Sequence, residues 1–416
     1  MVTAQLMADM KRIAFLCHPY HRGGVTRWMV DAAALAAQDG FETWFVTVEP
    51  SKEFYSSGGR ETMVSLVRNA HKSIRVVCCI VGYEFEFGVE DYRAMLYSKL
   101  ISANVPAGTP VIVSDDSAVW KGAANVAHTH PMVGVLHCDD KYYYEIGKQY
   151  RNQMSVCVAV SERVKRVFEE QCSSYDAARV FAIPCGIHLH QFVPHQANEA
   201  FTRLVFVGRF NDHQKRAHDL VAICTQLHEG AFAFRLDIAG NDEPSRVEFT
   251  GKFAARGVGE FVTFHGWQTA EQVQQLLNKS DVLLLTSNFE GTPLVMMEAL
   301  AAGCGFVGTR VSGIEDYEHH ELAKDCLGVF AVGDIADAVY KIKQVAKVPV
   351  PVREAAARSL AESAFSMQVC MDRYYGAIAC GITEGVNAAD IKLSMSGITF
   401  SRLLAFARHM KMKLTR

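Results

Sequence analysis

The stretch "DVLLLTSNFEGTPLVMMEALAAG", Asp281 to Gly303, reads as a strand, a turn and a helix in series. Val282 to Leu285 is apolar without a break, which suits a strand covered on both faces. Thr292 is a good N-cap, Pro293 is favoured at the first helical position and Gly303 suits the far end, so a helix is expected from about Pro293 to Ala302. The third residue after Thr292 is Val295, so this is not a capping box. Because the helix starts where the strand stops, its NH groups and positive dipole end open beyond the carboxyl edge of a sheet, a place suited to phosphate.

The same alternation runs outward in both directions. Upstream, "RIAFLC" precedes an amphipathic run from about Thr26 to Gln38, and "SIRVVCCIVG", "PVIVSDD", "MVGVLHCDD", "VCVAVS" and "VFAIPCG" follow as strands. In the second half, "RLVFVGR", "RLDIAG", "FVTFHGW", "DVLLLTS" and "GFVGT" play that part. Apolar strands separated by helices imply an α/β protein with parallel sheets, and two such halves in series imply two Rossmann-like domains facing a cleft. The expected division is residues 1–195, 196–365, a terminal helix over 366–390 that crosses back to the first domain, and a basic tail over 391–416. The boundary falls in the polar, proline-containing stretch Leu189 to Arg203.

A chain of 416 residues has room for two cores, and with 50% hydrophobic and 21% charged residues it is globular. A net charge of -3 gives no global reason to expect nucleic acid. The twelve cysteines are scattered with no CxxC pair, which reads as reduced thiols in a cytoplasmic protein. Asp9, Lys11 and Arg12 break the apolar character a signal peptide needs, and no run is long enough to span a membrane.

Glu298 is the anomaly of the opening stretch. Its helix neighbours three and four residues away are Leu294, Val295, Ala301 and Ala302, so no side chain of its own helix can pair with it. A buried, unpaired carboxylate costs several kcal/mol, roughly, and a partner must come from elsewhere. One candidate is a vicinal diol, whose two hydroxyls can donate to one carboxylate. The rise from Thr292 to Glu298 is roughly 9 Å at about 1.5 Å per residue, comparable to a diphosphate with a sugar at each end, which puts Glu290 near the second sugar. The competing assignment pairs Glu298 with Arg310 or another cation of the second sheet and leaves Glu290 an ordinary loop acid.

Two further elements converge on the same edge. In "LVFVGRFNDHQKRAHDLVAI", Arg209 and Lys215 follow a strand and open a helix, where two cations can neutralise a departing diphosphate. In "CHPYHRGGVTRW", Gly23 and Gly24 permit close backbone approach by a ligand and Thr26 can begin the helix, although the GxGxxG dinucleotide fingerprint is absent. For each element alone, a solvated loop or a tight turn is an equally ordinary explanation.

Taken together, the E-x7-E pair Glu290 and Glu298, the "VGR...K" element, the "GGV" turn, and "VAVSERVKR", "IPCGIHLHQFVP", "AGNDE" and "FHGW" in that order resemble family 4 of the retaining glycosyltransferases, of GT-B fold. The resemblance covers roughly Arg12 to Ile378. It implies a nucleotide diphosphate sugar as donor, with Arg209 and Lys215 on the diphosphate, Glu290 on the donor sugar, Glu298 on the ribose, and backbone NH groups from Gly291 through Thr292 and Pro293 to Leu294 gripping sugar and phosphates. It matches His137 to the histidine that approaches the donor sugar, whereas the residue read alone is a strand-end packing histidine. Two departures are Cys185, where the family often has Asn, and Arg216, where it often has Gly.

The implied reaction retains anomeric configuration, needs no protein base because a leaving phosphate oxygen can deprotonate the incoming hydroxyl, and needs no metal or cofactor. The alternatives are a sugar-nucleotide epimerase, a phosphorylase, or a non-catalytic nucleotide-binding protein. Asp115 with Asp116, Asp139 with Asp140, and the pairs His128/His130 and His188/His190 lack a full ligand set and read as turns and strand ends. Ile391 to Arg416 carries six Lys or Arg and no acid, and is expected either to lie on an anionic membrane, bringing the enzyme to a lipid-linked or envelope acceptor, or to pack on the protein. The sugar, base, acceptor and oligomeric state are not specified by these patterns.

Overall fold

The computed structural model describes residues 10–19, 23–50, 62–82, 85, 88–189, 200–210, 212–240 and 243–383; most of the expected interdomain stretch and the whole basic tail lie outside the described residues. The first sheet has seven strands: β1 (Arg12–Leu16), β2 (Glu42–Pro50), β3 (Arg75–Val81), β4 (Val111–Val113), β5 (Met132–Leu136), β6 (Met154–Ala159) and β7 (Val180–Ala182). The second has six: β8 (Thr202–Val207), β9 (Phe234–Ala239), β10 (Val262–Gly266), β11 (Val282–Leu285), β12 (Gly305–Thr309) and β13 (Leu327–Phe330). Their orders are β3-β2-β1-β4-β5-β6-β7 and β10-β9-β8-β11-β12-β13, and every recorded strand pair is parallel.

Each order reverses direction between the first and fourth strands of its domain, so each sheet has a switch point where the loops diverge and leave a crevice. The central strands β4, β5, β6, β11 and β12 are buried at every residue, which is why they read as unbroken apolar runs. Two strands escape that reading. In β2, Thr43 and Thr47 interrupt the run yet are buried, their hydroxyls bonded to the Phe41 and Val48 carbonyls. β13 is only "LGVF".

The chain crosses between the domains twice at one place. Ile187 NH donates to the Phe365 carbonyl at 2.8 Å, and Met367 NH donates to the Ile187 carbonyl at 2.8 Å. Gly186 is required there, since a Cβ would stand 2.7 Å from Cys370 Cβ and from Met367 Cα. The helix Val350–Phe365 is tied to the second domain by a buried ion pair, Arg353 Nη2 to Asp281 Oδ1 at 2.7 Å. Beyond Ser366 the helix Met367–Thr383 lies against the first domain, with Tyr374 5.3 Å from Trp28 and Tyr375 stacked 4.5 Å from Phe41.

Candidate active site

The carboxyl ends of β8 and β11 carry the two loops on which the site is built. Asn288 NH donates to the Gln214 carbonyl at 2.7 Å, Asn288 Nδ2 to the His213 carbonyl at 2.7 Å, and Thr286 Oγ1 to the Lys215 carbonyl at 2.7 Å, so the loops are knit into one wall. Lys215 and Glu290 meet inside that wall: Nζ is 2.5 Å from Glu290 Oε1, which also accepts from Ser287 Oγ at 2.5 Å, and both side chains are buried. Arg209 stays exposed at the rim, its guanidinium on Gln214 Oε1 at 3.1 Å.

The residue after Lys215 has left-handed backbone, φ 46° and ψ 54° at Arg216. That conformation favours glycine and costs a side-chain-bearing residue about 1–2 kcal/mol. Here the departure is offset by contacts glycine cannot make: Arg216 clasps Asp219 through Nε at 2.7 Å and Nη2 at 3.1 Å, and reaches Asn288 Oδ1 at 3.3 Å.

The helix Leu294–Ala301 differs from expectation at its start. Pro293, not Thr292, occupies the N-cap, and no side chain caps the helix. The Thr292 hydroxyl has a better acceptor across the cleft and donates to the Val160 carbonyl of the first domain. Pro293 has no NH to offer a ligand. Gly291 sits where the domains close on each other, since a Cβ there would lie 1.9 Å from the His137 carbonyl oxygen. Asp139 NH donates to the Glu290 carbonyl at 2.9 Å beside it. Gly303, at φ 77°, ends the helix as its position suggests.

Glu298 is half-buried on the wall of a pocket of ≈ 530 Å³ between the domains, with Arg27, Val207, Gln268, Glu271 and Leu277 around it. Among the described residues its carboxylate makes no hydrogen bond or ion pair. Desolvation raises its pKa above the ordinary carboxylate value; the charge of Arg27 opposes the shift and that of Asp31 adds to it. Arg310 is ruled out as a partner, because it forks onto Glu318 at 2.6 and 2.7 Å.

Facing this wall, Gly23 caps the helix Gly24–Gln38 and Thr26 is buried inside it, so the helix begins two residues before the expected start. A Cβ on Gly24 would lie 2.8 Å from Leu294 Cδ1, so the glycine admits the opposing helix, while around Gly23 there is open space. His137 is buried, with Trp28 edge-on at 5.2 Å, Nδ1 3.6 Å from Cys185 Sγ and a buried Nε2 that finds no hydrogen-bond partner among the described residues. Desolvation pulls its pKa down to about 4, so the ring is neutral near neutral pH. Cys185, one of the two departures from the pattern the sequence resembles, is thus the neighbour of this histidine.

The acidic pairs are structural. Asp116 and Asp140 cap the helices Ser117–Ala124 and Lys141–Gln149; Asp115 Oδ1 and Asp139 Oδ1 accept from Tyr143 and Tyr144 at 2.6 Å each. His130 Nε2 lies 3.1 Å from the Val105 carbonyl and His188 Nε2 3.9 Å from Asp31. No group of three or more His, Cys, Asp or Glu suited to a metal occurs among the described residues. Sequence reasoning missed Ser287, Arg27 and Asp31, because a strand-turn-helix pattern does not tell which polar residue meets which partner across a turn or a cleft.

Comparison with known proteins locates this architecture. Residues 202–347, the second domain from β8 onward, match the family described as "Glycosyl transferases group 1". The chain is 29% identical over 163 residues to the putative glycosyltransferase EpsF of Bacillus subtilis, covering 36% of this chain and 41% of that protein. It is 31% identical over 141 residues to the lipopolysaccharide 1,6-galactosyltransferase of Escherichia coli, covering 32% and 37% respectively. The matches therefore span about two fifths of those relatives' lengths. Anabaena HepE, solved in complex with UDP and glucose, superimposes with a TM-score of 0.66 at 15% identity, over 88% of this chain and 98% of its own. The fold is GT-B, two parallel-sheet Rossmann-like domains around a cleft.

Proposed function

We propose that this chain is a retaining glycosyltransferase that moves a sugar from a nucleotide diphosphate sugar to a hydroxyl of a glycan, lipid-linked or small-molecule acceptor. The observation that carries the reading is Glu298: a carboxylate with no hydrogen bond from the described residues, on a pocket wall whose volume of ≈ 530 Å³ suits a ligand the size of a nucleotide. The match of the second domain to the group 1 glycosyltransferases and the UDP and glucose held by HepE support it.

In this reading the ribose diol donates to Glu298, and Arg209 with Lys215 takes the diphosphate. Lys215 holds Glu290 in the donor-free molecule; with donor bound, its Nζ turns to phosphate while Glu290, kept in place by Ser287, orients the sugar hydroxyls. As the glycosidic bond breaks, the two cations stabilise the leaving diphosphate, and one of its oxygens takes the acceptor proton on the same face. The scheme asks for no metal, because fixed side-chain cations carry the charge, and His137 stays neutral beside the sugar subsite.

The test is a panel of nucleotide sugars scored by thermal stabilisation, followed by product analysis with and without acceptors. Transfer with release of nucleoside diphosphate and unchanged anomeric configuration is the expected result. An epimerised donor without acceptor, a requirement for sugar phosphate, or binding without turnover would each replace the assignment. No helix among the described residues is long and apolar enough to cross a membrane. A cytoplasmic enzyme touching the membrane through Ile391 to Arg416 predicts that liposome binding is lost when those residues are removed.

A further inference from the structure

Arg27 belongs to the first domain, yet it lines the large pocket with Glu298 and Glu271 of the second, and also a narrower recess with Asp31, His188, Leu294 and Glu298. It is the cation whose charge acts on both Glu298 and Glu271. Its position is set from behind: Nε lies 3.6 Å from Asp31 Oδ2 one turn along the same helix, and Asp31 Oδ1 lies 3.9 Å from His188 Nε2 on the interdomain crossing. A row of polar, ionisable side chains, His188, Asp31, Arg27 and Glu298, therefore runs from the crossing through the first domain to the second.

We propose that Arg27 is a donor-positioning residue that grips the phosphate of the nucleotide from the first domain, while Glu298 grips the ribose from the second. This rests on the donor reading of Glu298. In the donor-free molecule Arg27 offsets the charge of Glu298. When the diol satisfies that carboxylate, the guanidinium has an adjacent phosphate to meet, and a planar fork suits phosphate better than a distant carboxylate. A donor then binds both domains at once, and the free energy of that contact is available only with the cleft closed around it. Arg209 and Lys215 hold the same diphosphate from the second domain alone and cannot supply this coupling.

The experiment is calorimetric titration of the whole chain with UDP, GDP, ADP, CDP and dTDP, and with the nucleoside of whichever diphosphate binds. Arg27→Ala and Arg27→Gln are expected to weaken the diphosphate roughly 10- to 100-fold, the range for loss of a charge-assisted contact, and to change nucleoside affinity less than about threefold, with Arg27→Lys recovering part of the loss. Unchanged diphosphate affinity in both variants overturns the assignment of Arg27 while leaving the donor site intact. Equal weakening of diphosphate and nucleoside also overturns it, since that is the signature of a distorted cleft. If the wild type binds none of the five diphosphates, the donor reading itself fails, and the role of Arg27 with it.

Discussion

Replacing Glu298 by alanine separates ligand from architecture. Among the described residues no protein group hydrogen-bonds its carboxylate, so truncation removes no internal polar contact and should change donor-free stability by about 1 kcal/mol or less in either direction. Binding is another matter. A hydrogen bond to a charged acceptor nets roughly 1.5–3 kcal/mol, so losing two diol bonds costs on the order of 3 kcal/mol or more, about two decades in affinity. The sharper control is the 2′-deoxy nucleoside diphosphate: the wild type should bind it about tenfold or more weakly than the ribonucleotide, whereas Glu298→Ala should not distinguish the two. Calorimetric titration of both proteins with both ligands reads all four values. The pH dependence adds an independent check. Burial raises the native pKa of Glu298 above its unfolded value, so the native state binds the extra proton between the two, and stability falls as pH rises through that window. Glu298→Gln should flatten that fall in urea unfolding measured from about pH 4 upward. A variant that loses several kcal/mol of stability while still discriminating against the deoxy ligand refutes the reasoning.

The other expectations concern the rest of the site and its frame. Glu290→Gln keeps an oxygen for Lys215 and Ser287, so the fold should survive with nucleotide affinity within a few-fold of wild type while the transfer rate drops by about 100-fold or more, read as kcat falling with little change in donor KM. Lys215→Met leaves Glu290 charged and buried beside Ser287, and chemical denaturation should show a loss of about 3–5 kcal/mol. Arg353→Met removes the buried cation beside Asp281, which keeps the Arg203 NH at 2.9 Å, and should cost about 2–4 kcal/mol with nucleoside diphosphate affinity unchanged, because that pair lies at the opposite end of β11 from the cleft. His137, with a native pKa near 4 against an ordinary 6.5, binds fewer protons folded than unfolded between those values; its contribution is intact above about pH 6.5 and is lost as pH falls towards 4, by up to about 3 kcal/mol at 1.36 kcal/mol per unit. A transfer rate that steps near pH 6.5 in the wild type and not in His137→Asn would overturn its neutral role.

What could be read in advance follows a physical divide. Strands buried on both faces and helices with one apolar stripe leave a periodic mark, so β1, β5, β6, β11 and the helix after the Gly pair were legible, while β2, with its buried threonines, and the four-residue β13 were not. Glu298 is legible as a carboxylate too polar for its helix, Glu290 by its spacing from it, and Lys215 by its place after the carboxyl end of a strand. Their mutual geometry is not. That Lys215 and Glu290 bond each other, that Thr292 reaches Val160, and that Arg27 rather than Arg310 acts on Glu298 all depend on how two domains face one another, a relation no local pattern encodes.

The same divide explains which residues at the interface are small and which are charged. Gly291 and Gly313 stand where backbone from another segment approaches too closely for a Cβ, the His137 carbonyl at 1.9 Å and the Gly291 carbonyl at 1.9 Å, while a Cβ on Gly24 would press on the end of the Leu294 side chain at 2.8 Å. Around them the polar contacts cross from one domain to the other: Ser161 Oγ to Ser312 Oγ at 2.6 Å, Glu162 NH to Asp316 Oδ2 at 2.9 Å, and Arg163 Nε to Glu315 Oε1 at 2.7 Å. Close packing without side chains on one flank and paired charges on the other fix how far the domains can approach beside Glu290. On the Glu298 side the wall is an open pocket with a half-exposed Arg27 and a carboxylate that no described residue hydrogen-bonds. An alanine at Gly291 should therefore pry the cleft apart at the sugar end, lowering transfer more than nucleotide binding, because the proposed ribose contact at Glu298 lies within the second domain and only the Arg27 contact to phosphate depends on closure. Equal loss of both would show that the two ends of the cleft move as one.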